Sequence, residues 1–302
     1  MTTTLSGEAS IVIPTHNEGE NLRRTVDALL GTAMPGSEVI VIDDGSTDGS
    51  ADFLYSGYRD VRVVKPAERL GALRARNYGA ALATRPFIVF ADAHVAPSPG
   101  WPKHFADALS ELAVAAVGPG IDMMGRPGST GYGHVWSDAN LSWRWLSKKS
   151  MEPYEVPMLP GCFYALRRDV FDVTGGFDSG LLIWGTGDAE LSFRLWLLGY
   201  RCLMVPSVNV AHHFKKVRNF SLNWELMLHN VLRTATVHLG QTRLTQVVAA
   251  MNGHKAFPSA FARLTFSDAW GRRDELRRTR IRDDDWYFDY FDIHWPTEGE
   301  RG

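Results

Sequence analysis

The chain has 302 residues, of which 45% are hydrophobic and 22% charged, enough to bury one large core or two small ones. Its net charge of −2 gives no support for a nucleic-acid partner. No apolar run approaches the roughly 20 residues that span a bilayer, and residues 1–10 lack a signal-peptide pattern. The two cysteines, Cys162 and Cys202, make no disulfide framework. We therefore expect a soluble cytoplasmic α/β protein without a membrane span.

Short runs rich in Val and Ile alternate with helix-like segments over the first 120 residues. The runs predict four strands, at Ser10–Pro14, Glu38–Asp43, Val61–Lys65 and Pro86–Ala91. The helical spacing of apolar residues predicts three helices, over Glu18–Leu30, Leu70–Ala83 and Trp101–Leu112. Strand and helix in alternation predict a mostly parallel sheet that is flanked by helices and joined by right-handed crossovers.

The second half of the chain is organised differently. Glycine-rich Gly125–Gly133 predicts a mobile segment, and Trp136–Lys149 carries three tryptophans among polar residues. Next come a predicted helix over Ala189–Leu198 and predicted strands over 158–168, Arg201–Pro206 and Val208–Phe214. From Phe220 the pattern is mostly helical. We predict a core over 1–215, with halves of about 1–120 and 121–215, and a helical C-terminal extension over 216–302.

A carboxylate and an imidazole follow one of the buried strands. Asp92-Ala93-His94 comes directly after an apolar run, and side chains two residues apart on extended backbone point the same way. Ligands of open α/β folds bind at this carboxyl edge of the sheet. Either His212 or His213, at the end of a later strand, would complete a ligand set suited to Mn²⁺ or Mg²⁺. Such a cation could bridge a diphosphate and neutralise the charge on a departing nucleotide.

An acidic pair follows the second strand, in Asp43-Asp44-Gly45-Ser46. Asp44 could accept hydrogen bonds from a base or a ribose, and a turn with an Asx cap explains the same residues. After the first strand, Pro14–Glu18 stands in place of the glycine fingerprint of dinucleotide-binding proteins. This difference argues against a nicotinamide or flavin enzyme.

A second acidic pair opens the helix that follows Trp184-Gly185-Thr186-Gly187. Asp188 and Glu190 project in different directions from the helix start. One could therefore serve as a general base while the other has a structural role or orients an acceptor. Both would also complement the dipole at the N-terminus of the helix, and the two interpretations are compatible.

Basic residues lie next to these acidic segments. Arg74 and Arg76 belong to the helix before the Asp-x-His segment, and Lys215 follows the paired histidines. Cations beside a metal–diphosphate site would help to hold phosphate. Taken alone, the two arginines are more typical of a solvated helix face.

Together, these segments resemble the nucleotide-sugar-dependent glycosyltransferases of the GT-A fold. Ile11–Glu18 with Glu38–Gly49 is similar to the opening of family 2 glycosyltransferases. The later segments resemble the catalytic domain of polypeptide N-acetylgalactosaminyltransferases, without the lectin module of that family. The matching motifs, in chain order, are Leu70–Arg76, Asp92–His94, Gly175–Asp178, Ile183–Gly185, Glu190–Arg194 and Val210–His212.

The resemblance implies a Rossmann-like nucleotide-binding core and assigns roles to individual residues. It implies a metal ion held by Asp92, His94 and His212. It places the uridine and the rest of the donor near Thr15, Glu18, Asp44 and Arg76. Lys215 would join this donor-binding set through its position after the histidines.

One departure from the family pattern bears on the mechanism. Thr186-Gly187-Asp188 stands where the retaining enzymes carry Gly-Glu-Asn, so the sugar-contacting glutamate is lost. An aspartate occupies the place where inverting family 2 enzymes keep their base. We expect metal-dependent transfer of a hexose or N-acetylhexosamine from a UDP-sugar, with inversion and with Asp188 as base. Retaining N-acetylhexosaminyl transfer to a peptide is the alternative.

Two functions of other classes also fit parts of the sequence. A nucleotide-sugar hydrolase would use water in place of the acceptor, and a non-catalytic binding protein would have no need of a base. Trp184 and Gly125–Trp145 could form a lid over the bound donor. Aromatic residues in 132–145 and 286–295 could stack on a peptide, a sugar, an aromatic aglycone or a carrier-bound intermediate. We expect a small-molecule acceptor or a carrier-bound biosynthetic intermediate.

Overall fold

The structure is a computed structural model, and it describes residues 7–215 and 222–295. The strands of this part of the chain are β1 (Ala9–Thr15), β2 (Glu38–Asp43), β3 (Val61–Val64), β4 (Phe87–Ala91), β5 (Val95–Pro97), β6 (Val114–Met123), β7 (Arg126–Gly131), β8 (His134–Trp136), β9 (Trp143–Trp145), β10 (Tyr154–Glu155), β11 (Phe163–Arg167) and β12 (Arg201–His212). The helices are α1 (Glu20–Leu30), α2 (Leu54–Gly57), α3 (Ala72–Leu82), α4 (Trp101–Leu109), α5 (Arg168–Thr174), α6 (Gly187–Leu197), α7 (Trp224–His238), α8 (Gln241–Met251), α9 (Phe257–Thr265), α10 (Ala269–Thr279) and α11 (Asp284–Tyr290).

One large mixed sheet organises the fold, with strand order β10-β12-β6-β11-β4-β1-β2-β3. Strands β4, β1, β2 and β3 are parallel to their neighbours within this half. β11 breaks the parallel pattern, because it runs antiparallel to both β4 and β6. The α/β class is therefore confirmed, and the sheet is less uniformly parallel than its first half predicts.

The two reversals at β11 decide where the functional residues meet. Because β11 is antiparallel to β4 and to β6, β6 runs in the same direction as β4, and β12 is parallel to β6. The carboxyl ends of β1, β2, β4 and β12 therefore lie at one edge of the sheet. Thr15, Asp43, Asp92 and His212 are the residues at or next to these ends.

Both faces of the sheet are covered, and this explains the unbroken apolar runs in the sequence. Along β4, Phe87 and Val89 face the hydrophobic cluster that includes α1 and α4. Ile88 and Phe90 face the other cluster, which includes α3, α6 and α7. All five residues of this strand are buried, so alternation of polar and apolar residues is not needed.

The C-terminal helices share the second of these clusters. Phe193 of α6 packs edge-on against Tyr287 of α11, with ring centroids 4.5 Å apart. Leu232 and Val237 of α7 are buried in the same cluster. The boundary at 215/216 falls beside the undescribed residues 216–221, and the division into core and extension stays a prediction. None of the described helices is both long enough and apolar enough to cross a membrane.

Three local predictions differ from the structure in their elements. Gly125–Gly133 contains β7, which pairs with β6, and Gly131 leaves room for the Trp145 ring, 2.1 Å from where a Cβ would lie; the mobility of this segment stays a prediction. The two strands predicted over 201–214 are one strand, β12, with an irregular register between Val205 and Asn209. The strand predicted over 158–168 is confined to β11.

The packing of α3 on the sheet predicts opposite effects of the same substitution at two helical glycines. A Cβ at Gly79 would lie 2.3 Å from Val12 Cγ1 on β1, whereas Gly271 in α10 faces open space. We expect Gly79→Ala to lower the free energy of unfolding by about 1–3 kcal/mol through overpacking. Gly271→Ala should raise it by up to about 1 kcal/mol, because alanine is the better helix former. Urea unfolding of both variants measures the difference, and a stabilised Gly79→Ala protein would contradict the packing.

Candidate active site

A cavity of about 980 Å³ opens at the carboxyl edge of the sheet. Its walls come from the ends of β1, β4 and β12, from the segment 183–186 before α6, and from α7. Most of the predicted site residues line it, namely Thr15, Glu18, Asp44, Arg76, Asp92, His94, Trp184, Asp188, His212 and Lys215. Glu190 does not.

Three side chains from two strand ends converge in this cavity. Ligand atoms of Asp92, His94 and His212 all lie within 4.8 Å of one another. His212 Nε2 lies 3.6 Å from Asp92 Oδ2, and the two imidazole centroids are 4.8 Å apart. His213 is exposed and is not part of this cluster. The geometry favours His212 over His213, and the ligand role of either stays a prediction.

Charge and hydrogen bonding prepare Asp92 to stay ionised. Burial opposes its negative charge, but His212, Arg76 and His94 outweigh burial and hold its pKa well below the usual range. His212 Nε2 faces Asp92 Oδ2, whereas the buried Nδ1 has no hydrogen-bond partner among the described residues. A buried polar nitrogen is costly to leave unsatisfied.

Glu18 lies behind the cluster rather than within it. Its Oε2 is 3.2 Å from His94 Nδ1, and its Oε1 accepts a hydrogen bond of 2.5 Å from Lys215 Nζ. Burial works against the Glu18 charge, yet His94 and Lys215 lower its pKa. A carboxylate at Nδ1 fixes the tautomer of the ring and leaves Nε2 as the ligand atom.

Arg76 connects the two acidic groups of the site. Its guanidinium donates to Asp92 Oδ1 at 2.9 Å, to Asp188 Oδ1 at 2.5 Å and to the Gly161 carbonyl at 2.7 Å. The residue is only 4% exposed, so the solvated helix face that is typical of such a pattern is wrong for Arg76. Arg74, on the same helix, contacts the Ser179 carbonyl and does not line the cavity.

Asp188 begins α6 and reaches back towards this guanidinium. Its Oδ1 also accepts a hydrogen bond of 3.1 Å from the Tyr164 hydroxyl. Burial raises the pKa of Asp188; Arg76 opposes the rise, the nearby Asp92 charge adds to it, and the net direction is upward. Gly161 makes room for the carboxylate, since a Cβ there would lie 2.1 Å from Asp188 Oδ2. The result is an accessible carboxylate that is more basic than an ordinary aspartate.

Glu190 has a different environment, which corrects its predicted catalytic role. It is fully buried, makes an ion pair with Arg194 at 2.8 Å and bonds to His238 Nε2 at 2.8 Å. These partners hold the pKa of Glu190 well below its usual range despite the opposing effect of burial. The residue therefore ties α6 to α7 and does not reach the cavity.

The two aspartates after β2 have different environments. The sequence left open an Asx turn or a contact with a base or ribose. Asp43 Oδ1 accepts from the Ser46 amide at 2.8 Å, which is the predicted Asx turn. Asp44 lines the cavity, but its two oxygens already accept from the amides of Leu70 and Gly71, at 2.5 and 2.9 Å. Thr15 Oγ1 is buried nearby and has no hydrogen-bond partner among the described residues. Of Asp44 and Thr15, the Thr15 hydroxyl is thus the better candidate for a contact with a nucleotide-sugar donor.

The segment that carries Trp184 is held in a strained conformation. Ile183 and Thr186 have φ angles of 52° and 69°, in the left-handed region that β-branched residues avoid. Asn230 of α7 holds the segment in place: its Oδ1 accepts from the Leu182 amide at 2.8 Å, and its Nδ2 donates to the Leu182 and Trp184 carbonyls at 2.9 and 3.0 Å. A C-terminal helix therefore sets the backbone just before Asp188.

Aromatic rings form the wall opposite α3. His134 of β8 stacks on Trp143 and meets Trp145 edge-on, with both centroid distances 4.0 Å. Burial lowers the pKa of His134 to about 3, so this ring is neutral. The wall is built from the paired strands β8 and β9, and its predicted action as a lid stays a prediction.

Sequence reasoning missed Tyr164, Gly161 and Asn230. Tyr164 and Gly161 carry no sequence signal, because only the tertiary structure brings β11 and the residue just before it to Asp188. Asn230 does carry one, since an asparagine inside an apolar helical pattern predicts a buried polar side chain with backbone partners.

The hydrogen bonds that Asn230 makes with the segment 182–186, here called the Asn230 clamp, predict that Asn230→Ala loosens this segment. Four backbone groups would lose their partner, namely the Leu182 amide and the carbonyls of Leu182, Trp184 and Gly185. The free energy of unfolding should therefore fall by at least about 2 kcal/mol, and the amides of 182–186 should exchange faster. Asn223→Ala is the matched control, because it removes only the N-cap of α7 and should cost about 1 kcal/mol. Hydrogen exchange measures both proteins, and equal protection of 182–186 in the two variants would contradict the clamp.

Comparison with known proteins places this chain among sugar-transferring enzymes. Residues 10–175 match the model of the family described as glycosyl transferase family 2. Residues 145–218 match a second model, described as the N-terminal domain of galactosyltransferase. The first match includes the ends of β1, β2 and β4, and the second includes Asp188 and His212.

Individual relatives agree with the family matches. A protein named polypeptide N-acetylgalactosaminyltransferase 3, from Taeniopygia guttata, is 29% identical over 305 residues, which cover 92% of this chain and 49% of that protein. The chain thus spans about half the length of this curated relative. The crystal structure of GalNAc-T7 with UDP, GalNAc and Mn²⁺ matches with a TM-score of 0.79 and 23% identity, covering 96% of this chain and 57% of that one.

A more distant structure has the same fold. A mannosyltransferase from Pyrobaculum calidifontis, in complex with GDP-Man and Mn²⁺, matches with a TM-score of 0.52 and 21% identity. The match covers 89% of this chain and 73% of the mannosyltransferase. At this identity the likeness establishes the shared fold.

Proposed function

Because the chain belongs to glycosyl transferase family 2, we propose that it transfers a hexose or N-acetylhexosamine from a UDP-sugar to an acceptor hydroxyl. The observation that carries this proposal is the convergence of Asp92, His94 and His212 beside an accessible Asp188 in one cavity. The proposal extends to a cytoplasmic location, as expected from the sequence. The printed titles of the solved relatives, which name UDP with Mn²⁺ and GDP-Man with Mn²⁺, are consistent with a nucleotide-sugar donor.

The three ligand residues fit Mn²⁺. One carboxylate and two imidazoles suit a transition metal better than Mg²⁺, which prefers an all-oxygen set. The closeness of the three ligand atoms and the carboxylate at His94 Nδ1 are consistent with a ligand set held ready for a cation. When bound, Mn²⁺ would supply Lewis-acid neutralisation of the diphosphate charge.

The protein's own residues perform the remaining work of the transfer. Arg76 keeps Asp92 ionised and holds Asp188 in position through a single guanidinium. Thr15 and Lys215 line the donor side, where a hydroxyl and an ammonium can meet ribose and phosphate oxygens. The 183–186 segment, with Trp184 half-exposed, shields the cavity from water.

Asp188 serves as the general base in this proposal. The acceptor hydroxyl attacks the anomeric carbon, the bond from that carbon to the diphosphate oxygen breaks, and the hydroxyl proton passes to the carboxylate. Oδ1 already accepts from Arg76 and Tyr164, so Oδ2 is the atom that takes the proton. Attack on the face opposite the leaving group inverts the anomeric configuration.

The position next to Asp188 favours inversion over retention. When this chain is matched to the motif of the retaining enzymes, Gly187 stands where those enzymes have the sugar-contacting glutamate. A Cβ at Gly187 would lie 2.3 Å from Leu73 Cδ2, so this site has no space for that side chain without a shift of Leu73. Retaining transfer to a peptide is therefore the second candidate. The anomeric form of the product distinguishes inverting from retaining transfer.

The metal site predicts different effects of two adjacent histidines. His212→Ala should weaken Mn²⁺-dependent UDP binding by at least roughly tenfold, because one of three ligands is lost. His213→Ala is the matched control and should bind UDP as the natural protein does, since His213 lies outside the cluster. Calorimetric titration of UDP with and without Mn²⁺ measures both. Equal binding by the two variants would refute the ligand set.

If Asp188 is the general base, Asp188→Asn should affect sugar transfer and UDP binding differently. UDP affinity with Mn²⁺ should persist, while transfer should fall about 100-fold or more, because amide nitrogen and oxygen cannot take the proton. Asp172→Asn, at an exposed position on α5, should leave both unchanged. Release of UDP from UDP-sugars measures turnover, and NMR of the product gives the anomer. Undiminished transfer by Asp188→Asn would exclude the base, and free sugar as the sole product would identify a hydrolase.

A further inference from the structure

A second cleft, of about 360 Å³, lies among the C-terminal helices. The residues that line it are Arg277, Arg280, Ile281, Arg282, Asp283 and Trp286. None of them lines the larger cavity at the sheet edge. They belong to the last turn of α10, to the first turn of α11 and to the segment between the two helices. A cleft of this volume is within the size range of small-ligand sites.

The charges in this cleft are unbalanced. Three arginines share it with one aspartate, and Asp283 Oδ1 already accepts a hydrogen bond of 2.9 Å from the Trp286 amide. Arg277, Arg280 and Arg282 make no ion pair with the described part of the chain, although other arginines of the C-terminal helices do. Burial and the neighbouring Arg277 charge lower the pKa of Arg280, against the opposing effect of nearby aspartates. The cleft therefore holds positive charge that the protein itself does not neutralise.

Two of the three guanidinium groups are held in place by helix ends. Arg280 Nη1 donates to the His238 carbonyl of α7 at 3.1 Å. Arg282 Nη1 donates to the Trp196 carbonyl of α6 at 3.3 Å, and its guanidinium lies 4.0 Å from the centroid of the Trp286 ring. A guanidinium has five N–H donors, so most donors of these two residues have no acceptor among the described residues. The cleft thus presents fixed donors as well as charge.

Capping of helix ends explains part of this arrangement. Cations are favourable beside the last carbonyls of a helix, and the bonds from Arg280 and Arg282 are of that kind. Capping uses only one N–H of each residue. Arg277 lies in the last turn of α10, and its side chain makes no hydrogen bond with any residue that the structure describes. An anion in the cleft would supply acceptors for the remaining donors.

We propose that this cleft binds a phosphate group, carried by a free phosphorylated molecule or by a lipid headgroup. The planar donors of arginine match phosphate oxygens, and such charge-assisted hydrogen bonds are stronger than neutral ones. A phosphate monoester offers three oxygens and nearly two negative charges, which suits three arginines better than a carboxylate does. The Trp286 ring already contacts Arg282 and stacks on Tyr290, so charge and not ring stacking accounts for recognition. This site is additional to the proposed sugar transfer and does not depend on it.

The test follows the indole N–H signal of Trp286 in ¹H–¹⁵N spectra of the full chain, with Trp286→Phe to assign the signal. Inorganic phosphate, glycerol 3-phosphate and acetate are titrated in turn at constant ionic strength. We expect both phosphate compounds to saturate the shift at a concentration at least about tenfold lower than acetate, because they form more charge-assisted hydrogen bonds. Sedimentation with phosphatidylcholine vesicles, with and without phosphatidic acid, tests the lipid headgroup.

Arg277→Gln removes a donor from the cleft without removing a contact of the fold. It should weaken binding of inorganic phosphate about tenfold, the loss expected for one hydrogen bond to a charged group. Arg278→Gln is the matched control, because it removes the same charge from the adjacent exposed residue outside the cleft. Salt screens such an exposed charge, so this variant should change the affinity by less than about twofold.

Each possible outcome decides a separate point. Absence of a saturable shift with both phosphate compounds, saturation by acetate at the same concentration, or equal weakening in Arg277→Gln and Arg278→Gln would overturn the phosphate site. Sedimentation with phosphatidic acid vesicles that Arg277→Gln abolishes would identify a lipid headgroup as the source. Binding of glycerol 3-phosphate without such sedimentation would identify a free phosphorylated molecule. Titration of UDP with Mn²⁺ reports the larger cavity, so failure of the sugar-transfer proposal would leave this result unaffected.

Discussion

The site depends on one buried guanidinium that holds two carboxylates. Arg76 comes from α3, Asp92 follows β4 and Asp188 begins α6, so one side chain fixes three elements at the sheet edge. Removing either carboxylate would leave the buried charge under-compensated, and such losses are costly inside a protein. Its planar fork can donate to both carboxylates and to the Gly161 carbonyl together, which the ammonium of a lysine could not match.

A second constraint links the C-terminal helices to the chemistry. The strained backbone at Ile183 and Thr186 persists only because surrounding contacts determine it. Asn230 supplies those contacts from α7, and the Ile183 carbonyl also accepts from the Ala72 amide on α3. Residues beyond 215 are therefore part of the site. Asn230 positions the segment before Asp188, and other residues of α7 supply apolar side chains to the cavity wall.

The lining of the cavity combines charged and uncharged side chains. At the donor end, Glu18, Asp92 and Arg76 place charges where a cation and a diphosphate would meet them. Helix α7 lines the same cavity with Trp224, Met227 and Leu228, none of which carries a charge. Asp188 lies in the wall of this one cavity, with a side chain 28% exposed. A base in such a place can contact an acceptor while its pKa remains raised by burial.

The sequence by itself determined the local elements and the principal motifs. Apolar runs fixed the parallel half of the sheet, and Asp92-Ala93-His94 marked the edge of the candidate site because alternation on a strand end is a local property. Only the tertiary structure decided which groups meet across long separations. The reversal at β11 brought His212 to Asp92, and the packing of the fold buried Arg76 of α3 between Asp92 and Asp188. Periodicity reports which face of an element is buried, but it does not report what that face packs against, which is why Arg76 resembles a surface residue and Glu190 a catalytic one.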